Sequence, residues 1–314
     1  MKLKPLIVSI KGIKLTKKEK ILLKKEKPWG IILFKRNLKT FTQIKDLIIQ
    51  IKAFSKNKNF PIIIDEEGSS VSRLKGLINH DFSSNFFGNL YKKDKFFSLR
   101  ILKLYISSLS SILKNLGFNI NTIPVLDILK PYTNKIIGKR SFSKEKKIVK
   151  EMGNYTIKYL HENNLAGIIK HIPGHGSART DSHKKMPVVS LSLKNLNDTD
   201  FYPFKLSKAK FAMTAHILYK NIDKNNVATF SKTIIEKIIR KKIGFKGILI
   251  SDDISMKALK YDLVTNAKKS IQAGCNIVLY CAGNINDNYK LIKSLPYIDK
   301  FTSKKTSEFY KFLR

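Results

Sequence analysis

Eight short apolar, β-branched runs alternate along the chain with longer segments of helical period, and nearly every run ends in an ionisable residue. These observations predict an α/β fold, a single-domain (β/α)8 TIM-like barrel over residues 1–314. The runs are LIVSI (6–10), GIILF (30–34), PIIID (61–65), INTIPVLD (120–127), AGIIKH (166–171), FAMTAH (211–216), GILISD (247–252) and NIVLYC (276–281). Continuous apolar character suits parallel strands covered on both faces. A doubly wound open sheet would carry a Gly-rich phosphate turn after its first strand, and SIKGIKL is not one. No low-complexity linker divides the chain.

The helical segments show their own starts and stops. Thr16 with Glu19 reads as a capping box ahead of KILLKK, and Thr233 with Glu236 as a second one within TIIEKIIRKKIGF. Ile234, Ile235, Ile238 and Ile239 share one face there, and Gly244 follows as the residue that ends the helix.

Composition narrows the class. A chain of 314 residues can bury a large core. No apolar run reaches the roughly 18 residues of a bilayer span, and the N-terminus lacks the long apolar stretch of a secretory signal. Cys275 and Cys281 are too few for a disulfide framework and read as free thiols of a reducing compartment, so the expected location is the cytoplasm. The formal net charge is +38, yet the lysines are scattered over the whole chain. A solvated, compositionally biased surface explains this better than a recognition stripe. The expectation is a monomer that binds neither nucleic acid nor membrane.

The run ends carry the chemistry: Asp65, Asp127, Lys170 with His171, His216, and Asp252 with Asp253. In a barrel they converge on one rim, which argues for an enzyme. Asp252 is the candidate nucleophile; Asp253 is the better candidate to cap the next helix. The loop KHIPGHGSARTDSH (170–183) is dense in titratable groups, and Pro173-Gly174 excludes a regular helix through it. His171, His175, Asp181 and His183 could ligate a metal. His171 could instead be a hydrogen-bonded rim residue. The triplet DSH reads better as a dyad: in an extended segment Asp181 and His183 project to the same side, so Asp181 could orient His183 for acid/base work.

Over most of the chain, from KLTKKEKILL to AGCNIVLYC, the sequence resembles the family 3 glycoside hydrolases, and within them the bacterial β-N-acetylhexosaminidases of cell-wall recycling. The resemblance rests on KHIPGHG followed by DSH, then IGKRSF, MTAHILY and GFKGILISDDISM. It implies a barrel of the family's N-terminal type and a retaining exo-β-N-acetylglucosaminidase. The implied substrate is a peptidoglycan fragment in which terminal β-linked N-acetylglucosamine is joined to anhydro-N-acetylmuramic acid, with or without its peptide. It further implies Asp252 as nucleophile, His183 as general acid/base supported by Asp181, and Asp65, Arg73, Arg140, Lys170 and His171 as sugar-binding groups. No metal or organic cofactor is implied; the only partner is a small saccharide. The family's DQEGGRVQR is DEEGSSVSR here, with Ser69-Ser70 in place of a Gly-Arg pair.

Two other functions fit part of the sequence. A histidine acid/base leaves room for phosphate in place of water, which would make a β-N-acetylglucosaminide phosphorylase. A non-catalytic basic barrel could bind nucleic acid or an anionic glycan, with affinity falling steeply with salt.

Overall fold

The computed structural model describes residues 2–182 and 184–314. Among the described residues eight parallel strands, each paired with the next in chain order, close a barrel. They are β1 (Lys4–Val8), β2 (Pro28–Leu33), β3 (Ile62–Ile64), β4 (Ile120–Asn121), β5 (Ala166–Ile172), β6 (Phe211–Thr214), β7 (Ile248–Asp253) and β8 (Ile277–Leu279). Closure comes from β8 beside β1, with Leu6 opposite Val278. A small parallel pair, Val188–Val189 with Leu218–Tyr219, stands outside the barrel.

All eight runs form strands, with shifted bounds. The largest difference is in INTIPVLD: ladder pairing stops at Asn121. Pro124 has no N–H to donate. The chain beyond still follows β5, because Lys170 N–H donates to Pro124 O at 3.2 Å and Leu126 N–H to Lys170 O at 2.8 Å.

Side chains alternate between the barrel interior and the helical jacket. Ile7, Ile32, Ile63, Ile120, Ile168 and Ile248 belong to the interior cluster. Trp29, Phe211 and Phe309 also fill it; Phe309 comes from the C-terminal helix Lys300–Phe312 and lies 5.1 Å from Phe211, centroid to centroid. The Trp29 indole N–H donates to Thr306 Oγ1 of that helix at 2.9 Å. Trp29 comes from the N-terminal part of β2 and Phe211 from the start of β6, so with Phe309 they plug one end and leave the strand C-termini as the open one.

The first capping box is present: Glu19 N–H donates to Thr16 Oγ1 at 3.2 Å and Thr16 N–H to Glu19 Oε2 at 2.7 Å. The second is not. Thr233 is already helical, at φ −60° and ψ −48°, with no side-chain cap. Ser231 does that work, accepting from Ile234 N–H at 3.1 Å, while Glu236 turns to Lys232 at 3.8 Å. Gly244, at φ +78°, ends the helix as its sequence position predicts. Helix Lys95–Leu116 corrects another expectation, being long and apolar enough by length and composition to cross a membrane. Its Leu99, Leu102, Ile106, Leu109 and Leu113 recur every three or four residues and are buried, as in a jacket helix.

Candidate active site

The strand C-termini open into a pocket of about 350 Å³. Asp65, Arg73, Arg140, Lys170, His171 and Asp252 all line it, so six of the eight predicted site residues meet in one place. Ser182, from DSH, lines it too. The assignment of His183 lies outside the described residues, and with it the pairing to Asp181. The Asp181 carbonyl accepts from Lys184 N–H at 3.0 Å and Lys185 N–H at 3.1 Å. The Ser182 carbonyl accepts from Ala258 N–H at 3.1 Å, so the loop after β5 reaches the loop after β7.

Ion pairs organise the floor. Asp65, at the end of β3, accepts from Arg73 Nη2 at 2.8 Å, from Lys170 Nζ at 3.3 Å and from the Thr122 hydroxyl. Burial alone would raise its carboxyl; Lys170 and then Arg73 override that and hold it well below the usual range. Glu67 grips Arg140 through Nε at 2.7 Å and Nη2 at 2.9 Å, and Lys170 through Nζ at 2.5 Å. Lys170 therefore bridges two carboxylates and keeps its position on β5. Gly68, next to Glu67, turns the chain at φ +123°; a Cβ there would meet Phe82 O at 2.3 Å. Ser69 and Ser70 follow in this tight turn, closed by Glu67 N–H to Val71 O at 2.8 Å, and Ser70 lines the pocket.

His171 is both a rim residue and a pocket residue. Its Nδ1 lies 2.7 Å from Asp127 Oδ2. Burial raises the Asp127 carboxyl, but His171 and the His175 amide at 2.6 Å outweigh it and the net direction is down. An ionised Asp127 makes His171 Nδ1 the donor and leaves Nε2 for the pocket. Burial holds the neighbouring His175 imidazole down at about 4, so it is neutral.

Asp252 differs from the other carboxylates. Among the described residues no cation lies in salt-bridge contact with it; its carboxylate accepts from Asp253 N–H at 2.8 Å. Burial would raise it, but the nearby His171, His216 and Lys170 and that hydrogen bond bring it below the ordinary value. It is thus ionised without being locked in a pair, as a nucleophile must be. Asp253 is pushed the other way, upward, chiefly by burial. The expectation that Asp253 caps the next helix is not met: it holds Ser255 Oγ at 2.7 Å and Cys281 N–H at 3.2 Å instead. Helix Leu263–Ala273 is capped by Asp262, which accepts from Val264 N–H at 3.0 Å. His216 fixes the strand end: a carbonyl can only accept, so Nε2 donates to Asp253 O at 3.0 Å, while Nδ1 lies 2.7 Å from the Thr229 hydroxyl.

A family model described as the N-terminal domain of glycosyl hydrolase family 3 matches residues 2–304. The chain belongs to glycosyl hydrolase family 3. Among its family relatives, a β-hexosaminidase of Nitrosomonas eutropha is 31% identical over 286 residues, which is 90% of this chain and 81% of that protein. One from Neisseria meningitidis is 32% identical over 284 residues, 88% of this chain and 78% of that one. The solved structure of native NagZ from Neisseria gonorrhoeae shares the fold with a TM-score of 0.90 at 29% identity, over 100% of this chain and 90% of that one. A family 3 β-N-acetylglucosaminidase from Paenibacillus shares it too, with a TM-score of 0.88 at 24% identity; this chain covers 60% of that longer one. The family site here includes residues the run-end reading did not assign. Glu67 is one, and its signal was present: it stands two places from Asp65, where alternation would return it to the same side. Met213, Met256, Leu279 and Cys281 add an apolar part of the lining, for which nothing in the sequence spoke.

Proposed function

We propose that this family 3 hydrolase is a retaining exo-β-N-acetylglucosaminidase, working as a cytoplasmic monomer on peptidoglycan fragments in which β-linked N-acetylglucosamine precedes anhydro-N-acetylmuramic acid. The observation that carries the proposal is Asp252, ionised and without a cation contact among the described residues, in a pocket whose other carboxylates are engaged. Asp252 attacks the anomeric carbon while His183 protonates the leaving oxygen; a glycosyl ester forms and the aglycone departs. Water, deprotonated by His183, then attacks the ester and releases the sugar. An imidazole in the acid role avoids a second carboxylate that would repel the nucleophile and raise its pKa. Asp65, Arg73, Arg140, Lys170 and His171 hold hydroxyl and acetamido groups, turning binding into orientation. That its relatives are β-hexosaminidases supports the sugar, and one NagZ structure, from Neisseria gonorrhoeae, holds N-trifluoroacetyl-D-glucosamine.

The test is mass spectrometry of the protein after a slow fluorinated β-N-acetylglucosaminyl donor. A sugar adduct on the peptide carrying Asp252 is expected. Turnover of the donor with an adduct elsewhere, or with inverted product, overturns the assignment.

A further inference from the structure

Behind the pocket wall lies an ion pair that the proposed chemistry does not use. Asp200 is buried, at 1% exposure, and holds four donors: Lys130 Nζ at 2.6 Å, Ser177 N–H at 2.7 Å, Ser177 Oγ at 2.7 Å and Thr199 Oγ1 at 2.9 Å. Lys130 Nζ donates to the Ser177 hydroxyl as well. Ser177 is thus gripped by backbone and side chain at once. It lies in KHIPGHGSARTDSH, four residues before Asp181 and six before His183. Neighbouring contacts fix the same stretch: Tyr219 OH donates to Gly174 O at 2.5 Å and Thr133 Oγ1 to Gly176 O at 2.5 Å. Gly174 sits at φ +144°, and a Cβ there would meet Asp200 O at 2.5 Å, so the loop's root is pressed onto the Asp200 backbone.

We propose that the buried Lys130–Asp200 ion pair positions the acid/base loop: by clamping Ser177 it sets where Ser182 reaches the pocket mouth. This rests on the reading of His183 as acid/base. The reach argues for it. A chain extends at most about 3.3–3.6 Å per residue, so Ser182 can lie no further than about 18 Å from Ser177. Within that tether the Ser182 carbonyl meets Ala258 N–H, on the loop that follows Asp252. Releasing the root lets the tip sample a volume in which this meeting is one position among many. Lys130 comes from the β4 loop and Asp200 from the connection after helix Leu193–Asp198, so two separate loops must agree before the third is placed.

The experiment compares two β-N-acetylglucosaminides on the full chain, a dinitrophenyl one whose leaving group needs no proton and an alkyl one that does. The variants are Ser177→Ala, Lys130→Gln and Asp200→Asn, with His183→Ala as control. Misplacement of about 1 Å can cost on the order of 10²-fold, so kcat/KM on the alkyl glycoside should fall by about that factor. The dinitrophenyl glycoside, lacking the proton requirement, should change by less than about 3-fold. A purely structural role moves both substrates together, in step with the folded fraction read by circular dichroism. Equal losses, or no loss in a folded variant, overturn the proposal. If Asp200→Asn does not fold, Ser177→Ala decides alone, since it keeps the Ser177 amide bond to Asp200. A His183→Ala variant without selective loss removes the acid/base reading and the anchor's purpose with it. A selective loss in His183→Ala but not in Ser177→Ala removes the anchor only.

Discussion

Glu67→Gln tests whether one buried carboxylate holds the pocket's cations in place. Its side chain is 4% exposed and contacts Arg140 and Lys170 at 2.5–2.9 Å. Burial opposes its ionisation, but Arg140 and then Lys170 hold the carboxyl at about 2, against 4.5 ordinarily. At 1.36 kcal/mol per pKa unit, ionised Glu67 is favoured in place by about 3 kcal/mol over its neutral form. Glutamine copies the neutral form, so the variant should lose about 3 kcal/mol, within reach of the ~3–5 kcal/mol typical of a broken buried pair. A depressed carboxyl contributes stability that is present above its unfolded pKa of about 4.5 and lost as pH falls toward about 2. The deficit should therefore be full at neutral pH and shrink in acid. Urea unfolding of both proteins at pH 7 and at about pH 3 measures it. The KM for an aryl β-N-acetylglucosaminide should rise as well, because Lys170 and Arg140 lose their shared tether. A variant within about 0.5 kcal/mol of the parent at neutral pH, the range of an ordinary surface change, would refute the reasoning.

Asp252→Ala should bring turnover of an aryl β-N-acetylglucosaminide down to background with an unchanged circular dichroism spectrum; retained turnover would assign the nucleophile elsewhere. Product analysis with and without phosphate should give free N-acetylglucosamine in both, whereas sugar 1-phosphate as the main product would make the protein a phosphorylase. His175 is buried and held near 4 against an ordinary 6.5, so the unfolded chain takes up its proton first as pH falls. Its share of stability is complete above about 6.5 and declines toward pH 4, reaching a loss of about 3 kcal/mol. His161 and His216, lowered for the same reason, act in the same direction. Urea midpoints between pH 7 and 4.5 should show this slope, and His175→Phe should flatten it. Ser231→Ala should cost about 1 kcal/mol of stability and Thr233→Ala almost nothing, since Ser231 is the helix cap. Equal costs would restore the capping box at Thr233.

Much of this protein was legible from local pattern. Eight apolar runs named eight strands because burial on both faces leaves a continuous apolar signature. Their polar ends named five of the residues that line one pocket, Asp65, Lys170, His171, Asp252 and Asp253, because a closed parallel barrel delivers every strand's C-terminus to the same rim. Where local signals competed, the sequence misled: the Thr-x-x-Glu spacing put the cap at Thr233, and the bond from Ile234 N–H puts it at Ser231. Asp252 and Asp253 are adjacent and chemically identical. One is ionised and free of any cation contact among the described residues; the other is occupied by Ser255 and Cys281. Part of that difference comes from other strands, since His171, His216 and Lys170 lie near Asp252 and Cys281 meets Asp253. The Glu67 clasp and the Lys130–Asp200 anchor are likewise tertiary, joining residues 73, 103 and 70 positions apart. Periodicity records which face of an element is buried, so it can be read along the chain. Which charge meets which across a pocket depends on distances that exist only once the barrel has closed.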